Sequence, residues 1–276
     1  MLGQANHFLI TILVGLNGVR SASVEKDEEF STSWNPQSAL RSADRSRAFV
    51  LDLALVRAID SLDTYMMLAA RKPRIIGDDF AKKMDGTKRS VKNRLEVFEE
   101  FLPNLSPWHK AALDVAIEWR NKRVHSLSND RISSSTFSLL KSHANHLHQN
   151  YGGLSIDEFL SHFSTGSSPT FKEAAAVIRL THEAVEHYDA ALLAKADIDA
   201  YVKALLLNFI TSEENTPNKV IRKTWDSEKK REKVLRILRM IGVTENSSSN
   251  GSVVSEDLIE DLVNLDHSQV QSYLKR

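Results

Sequence analysis

Cysteine is absent from this chain of 276 residues, and glycine (10) and proline (6) are few. Without cysteine there is no disulfide framework, no thiolate zinc site and no cysteine nucleophile. So few helix-breaking residues argue against a turn-rich all-β fold and for long helices. An apolar segment long enough for a bilayer is missing as well. The longest run, Phe8 to Leu16, falls well short of the roughly 20 residues that a spanning helix needs. No Lys or Arg precedes it and the charged stretch Glu25 to Glu29 follows, so it reads as a first core helix rather than a secretory leader. Net charge is also lacking: 36 basic residues balance 36 acidic ones, which gives the whole chain no bias toward nucleic acid. A cytoplasmic location with no membrane partner is the expectation.

What charge there is sits in runs. Arg71 to Arg94 holds nine Lys or Arg against three Asp, Lys219 to Arg239 holds nine against three acidic residues, and Glu256 to Asp266 is acidic. Such runs are commonly solvated helix faces.

The periodicity is helical throughout and predicts an all-α fold, a bundle of antiparallel helices. After the first helix, residues 21–45 read as irregular. Asp44 is the expected N-cap of a long helix to about Arg71, with Phe49, Leu53, Val56, Leu62 and Met66 as its buried stripe and Pro73 and Gly77 as its stop. A charged connection over 78–88 leads to a helix from Arg89 to Leu102. Ser106 and Pro107 pair an N-cap with proline at the first helical position, opening a helix through Leu113, Ala116, Ile117, Arg120 and Val124 that loosens over 126–130. Further helices are expected from Ser133–Ser135 to Asn150, over Ser155 to Phe163, from Ser168–Pro169 to Ala194, from Asp197 to Ile210, and as one piece from Pro217 to Gly242. The Asn/Ser/Gly-rich residues 246–252 read as a linker, and a short acidic helix closes the chain. The domain reading is an N-terminal segment (1–45), a helical bundle (46–165), C-terminal helices extending it (166–245), and linker plus acidic helix (246–276).

One stretch carries chemistry: Arg120-Asn-Lys-Arg-Val-His125, at the end of the helix that Pro107 opens. It resembles the HEPN superfamily, whose ribonuclease motif is Arg, four to six residues, then His. A polar residue, often Asn, follows the Arg in that motif, and an aliphatic residue often precedes the His. Arg120, Asn121, Val124 and His125 match these features. The resemblance covers the motif and a helical bundle around it, residues 45–150. It implies metal-independent RNA cleavage leaving a 2′,3′-cyclic phosphate and a 5′-hydroxyl. It also implies a homodimer whose two motifs form one composite site, and a toxin–antitoxin or phage-defence setting with an antitoxin or defence partner. Toxins of this family often carry Tyr two residues after the His. Here that position is Leu127, so regulation through that Tyr is not implied.

The residue types suit the reaction. Attack by a 2′-hydroxyl needs a base for its proton, an acid for the leaving 5′-oxygen and a cation on the phosphate. Histidine titrates near neutrality, and arginine stays charged and can grip phosphate through two hydrogen bonds. Arg120 is therefore the candidate phosphate holder and His125 the general acid or base. Asn121, four residues before His125 on one helix face, is the candidate for orienting its ring. Candidate RNA-backbone contacts are Lys122, Arg123, Lys82, Lys83, Lys88 and Arg89. No cofactor and no metal is expected. Thr181-His-Glu-Ala-Val-Glu-His187 mimics a zinc helix, but its histidines are five apart instead of four. His143, His146 and His148 have no carboxylate among them. The competing assignment is a non-catalytic helical interaction module in which Arg120, Arg123 and His125 cap a helix C-terminus.

Overall fold

The computed structural model describes residues 2–27, 29, 34, 36–103, 105–125, 132–212, 216–243 and 254–275, and among these every regular element is a helix. The described residues form two units, one of Met1–Met66 with Arg89–His187 and another of Met67–Lys88 with Tyr188–Arg276. The division falls inside a helix at 187/188, where the sequence reading had put a boundary at 165. The 246–252 linker and the loosened stretch 126–130 lie outside the described residues.

In the first unit, α1 (Leu2–Arg20) buries Leu9 and Leu13, while Phe8, Ile10, Ile12 and Val14 remain exposed. It is less of a core helix than its composition promised. Helix α2 (Ala39–Ala69) starts five residues before the expected Asp44 cap. The Ser38 hydroxyl accepts from the Arg41 N–H at 3.3 Å, and the strong helix formers Ala39, Leu40 and Arg41 extend the helix back to it. Its buried stripe is Leu51, Leu55, Ala58, Ile59, Leu62 and Met66, whereas Phe49 and Leu53 are 63% and 50% exposed. Leu62 and Met66 of the expected stripe are buried, but the helix is apolar on two sides and in its first half periodicity selects the exposed one. The outward side forms, with α1, a groove of about 460 Å³ lined by Phe8, Leu9, Ile12, Val50, Leu53 and Ala54 among others.

Helix α3 (Asp78–Gly86) belongs to the second unit and replaces the expected charged connection. Asp78 and Asp79 in its first turn favour its N-terminal dipole, and Phe80, Ala81 and Met84 are buried. Back in the first unit, α4 (Val91–Phe101) is capped by Ser90, which accepts from the Asn93 N–H. It buries Leu95 and Phe98, and Leu102 follows, fully enclosed. Helix α5 (Pro107–Val124) packs on α4 and on α6 (Ser134–Ser142). Its N-terminus uses the Ser106 carbonyl, which accepts from the N–H groups of His109 and Lys110, and not the Ser106 hydroxyl. Val124 is exposed.

The helix expected to reach Asn150 breaks at His143 into α6 and α7 (Ala144–Asn150). Ser155 caps α8 (Ile156–Thr165), which ends at Gly166 in the left-handed conformation that glycine adopts without strain. Helix α9 (Phe171–Lys195) begins after Thr170 and not at Pro169. The reason is a reciprocal cap: the Thr170 N–H reaches Glu173 Oε2 at 2.6 Å while the Glu173 N–H reaches Thr170 Oγ1 at 3.4 Å.

The second unit continues with α10 (Ile198–Thr211), capped by Asp197, then α11 (Pro217–Trp225) and α12 (Lys230–Met240). One helix had been expected over 217–242, but Asp226 to Lys229 interrupt it. Helices α13 (Glu256–Asn264) and α14 (Val270–Leu274) complete it. Val202, Leu206, Ile210, Ile221, Trp225, Leu258 and Leu262 share one core. The Trp225 indole N–H donates to the Leu262 carbonyl at 2.7 Å.

His109 in α5 is 3% exposed, and its Nε2 bonds the Leu180 carbonyl at 2.9 Å. Burial holds its pKa below the usual 6.5, outweighing the opposing pull of that carbonyl and of Glu183. The folded protein therefore keeps this imidazole neutral where the unfolded chain takes up a proton. The stability this contributes is complete above about pH 6.5 and declines as pH falls below it. Burial alone would raise the Glu183 carboxyl, but bonds from Tyr151 and Arg179 hold it below its ordinary value, so its own loss comes at lower pH. Thermal melting from about pH 7 to about pH 5 is expected to show a falling midpoint, with a smaller fall in His109→Gln. An identical fall in the variant would assign the effect elsewhere.

Candidate functional site

The motif occupies the last turn of α5. Trp119, fully buried, fixes that end of the helix: its indole N–H donates to the Ser167 carbonyl at 3.0 Å and its ring meets Phe159 edge to face. The next residue, Arg120, emerges at the boundary of the core with its side chain 18% exposed. Its Nη2 contacts Asp60 Oδ1 of α2 at 2.6 Å, and its Nη1 donates to Asn121 Oδ1 at 3.2 Å. The Nε–H is buried and has no partner among the described residues.

His125 follows the helix in an extended conformation, its N–H bonded to the Asn121 carbonyl at 2.7 Å. Its side chain is exposed. Asn121 thus touches both partners, but with roles other than those expected. Its side chain steadies the guanidinium, and its backbone anchors the histidine.

Of the cations expected to meet RNA, Arg123 binds Asp52 Oδ2 at 2.5 Å, the Gly166 carbonyl at 2.8 Å and Ser168 Oγ at 3.2 Å. Lys122 lies 3.8 Å over the Phe163 ring, with the Phe163 carbonyl at 3.5 Å. Neither returns to the carbonyls of its own helix, so a simple C-terminal cap does not describe them. Lys82 pairs with Asp79 at 3.6 Å, and Lys82, Lys83 and Lys88 belong to the second unit while exposed Arg89 belongs to the first. The basic stretch is further reduced because Arg94 is buried on Asp63 and Arg74 pairs with Asp78.

Sequence reasoning missed the carboxylates. Asp52, Asp60 and Asp63 lie within about 80° of one another around α2 and hold Arg123, Arg120 and Arg94 in turn. Their spacing of eight and three residues was a legible signal for one helix edge; their partners were not. A second acid is more deeply placed. Glu118 is 2% exposed, with Lys92 at 3.6 Å.

No cluster of three or more His, Asp or Glu suited to a metal occurs among the described residues. His182 faces Glu186 at 3.4 Å, and His187 sits edge-on to His109. His143 and His146 surround the Trp108 ring. No helix is long and apolar enough to cross a membrane among the described residues. Comparison with protein-family models, with curated proteins and with solved structures returns no match.

Proposed function

We propose that this chain is a HEPN-type, metal-independent endoribonuclease. The observation that carries the proposal is the shared setting of Arg120, Asn121 and His125: a guanidinium held at the core boundary and an exposed histidine on the same helix end. The 2′-oxygen of the substrate attacks phosphorus as the bond to the 5′-oxygen breaks. His125 takes the 2′-proton or returns one to the 5′-oxygen, and Arg120 stabilises the charge on the non-bridging oxygens. Asp60 fixes Arg120 in register at the core boundary. One imidazole performs one transfer at a time, so a second copy would supply the other. The exposed apolar residues Phe8, Ile12, Phe49 and Leu53 give a face on which such a copy can pack.

The Asp60 contact also favours a second reading. An arginine whose two terminal nitrogens are both bonded inside the molecule is unavailable to phosphate until Asp60 yields. In a non-catalytic interaction module the same pair would simply join α2 to α5, and the apolar face would take a partner. Incubating cellular RNA with purified protein in EDTA separates the two. Cleavage to 2′,3′-cyclic phosphate ends is expected from the wild type, reduced about 10²- to 10⁴-fold in His125→Ala. Equal cleavage by both proteins would remove His125 from the chemistry. Intact RNA with both would leave the module.

A further inference from the structure

The second unit carries a feature that the nuclease reading does not use. In α11, the buried residues Ile221, Thr224 and Trp225 fall within about 100° of arc, and Lys219, Arg222 and Lys223 fall within another such arc centred opposite. In α12, Val234, Ile237 and Leu238 enter the core while Arg236 lies on the outer side, and Lys229 immediately precedes the helix. All five of these cations are exposed.

Their neighbours show which lysines and arginines are structural. Lys230 donates to the Leu265 carbonyl at 2.7 Å, Lys233 to the Lys223 carbonyl at 2.8 Å, and Arg231 pairs with Glu256. Those side chains tie α12 to α13 and to α11. Of the acids near the turn, Asp226 pairs with His267 at 2.9 Å. Glu228 in the turn and Glu232 on the outer side of α12 are exposed beside the cations, which outnumber them five to two.

We infer that the outer face of α11 and α12 binds the phosphodiester backbone of a nucleic-acid strand through Lys219, Arg222, Lys223, Lys229 and Arg236. The chemistry favours this partner over the other polyanions. Anchoring at an anionic membrane needs an apolar face to enter the interface. Here the apolar faces of both helices lie in the unit's own core, and Met240 is the one large apolar residue exposed on them. An acidic protein would call for several aromatic or aliphatic anchors at the centre of the contact, and Met240, at the far end of α12, is the one such side chain exposed on these helices. A strand of regularly spaced phosphates requires only cations, each releasing a counterion. The inference is independent of cleavage, since a scaffold module could use the same face.

The test is fluorescence anisotropy with a labelled RNA strand and the DNA strand of the same sequence. The full chain is used in a His125→Ala background so that binding is read without turnover. Neutralising three contacts in Arg222→Gln/Lys223→Gln/Arg236→Gln is expected to weaken binding about 100-fold near 0.1 M salt and to reduce the log–log salt slope by about 2. The Arg222→Lys/Lys223→Arg/Arg236→Lys variant should keep both. Emission from buried Trp225 reports that the unit is intact in each variant. Comparable losses for RNA and DNA fit backbone recognition. Unchanged affinity and slope in the glutamine variant, no binding by the parent protein to either strand, or binding to phosphatidylserine vesicles instead would overturn the inference.

Discussion

In the Asp63→Ala variant the thermal midpoint of the first unit is expected to fall by roughly 6 to 12 °C, the largest effect of any surface-adjacent substitution considered. Arg94 is 8% exposed at its side chain and Asp63 is 21% exposed. Removing the carboxylate leaves a guanidinium that α4 cannot release to water without unpacking Leu95 and Phe98 beside it. A buried guanidinium that loses this carboxylate costs about 3 kcal/mol, more than an exposed pair contributes. The double variant Asp63→Leu/Arg94→Met discriminates the cause. Filling the site with apolar volume removes the buried charge, so its midpoint is expected to return most of the way to that of the wild type. A double variant as unstable as the single one would show that the charge was not the issue. The consequence reaches the motif, because α5 packs on α4 and is tied to α2 through Arg120 and Arg123.

The second large effect is expected at Trp119. Truncation to alanine in Trp119→Ala removes the largest fully buried side chain of the first unit and is expected to cost about 3–5 kcal/mol. Trp119→Phe keeps a ring against Phe159 but leaves the Ser167 carbonyl without its indole donor, a loss of about 1 kcal/mol. Urea unfolding followed by circular dichroism gives both numbers. Equal losses in the two variants would mean that the hydrogen bond, and not the volume, holds the helix end. Trp119 stands directly before Arg120, so RNA cleavage by the phenylalanine variant reads how closely the motif depends on this anchor.

Much of this was visible in the residues, for reasons that can be named. The helix starts read at Ser133 and Asp197 act as short polar side chains before apolar periodicity should, each accepting a backbone N–H three residues on. The all-α architecture followed from the shortage of glycine and proline. What misled was local competition. Asp44 is a good cap residue, but Ser38 lies earlier with helix formers between them. Ser168–Pro169 looks like a start, but Thr170 and Glu173 cap one another. Phe49 and Leu53 have a core stripe's spacing, yet a helix with two apolar sides gives no sign of which is covered. At the motif, the resemblance singled out Arg120, Asn121 and His125, which the structure places at one helix end. It could not reveal Asp60, because that contact joins residues sixty apart.

The acidic edge of α2 has a consequence for how the chain can vary in length. A helix advances about 1.5 Å and turns about 100° with every residue. A single insertion between Asp52 and Asp60 would therefore swing one carboxylate away from Arg123 or the other two away from Arg120 and Arg94. α2 works as a ruler, and its marks are the intervals of eight and three residues. Any lengthening of the first unit that keeps these three contacts must fall outside the span from Asp52 to Asp63.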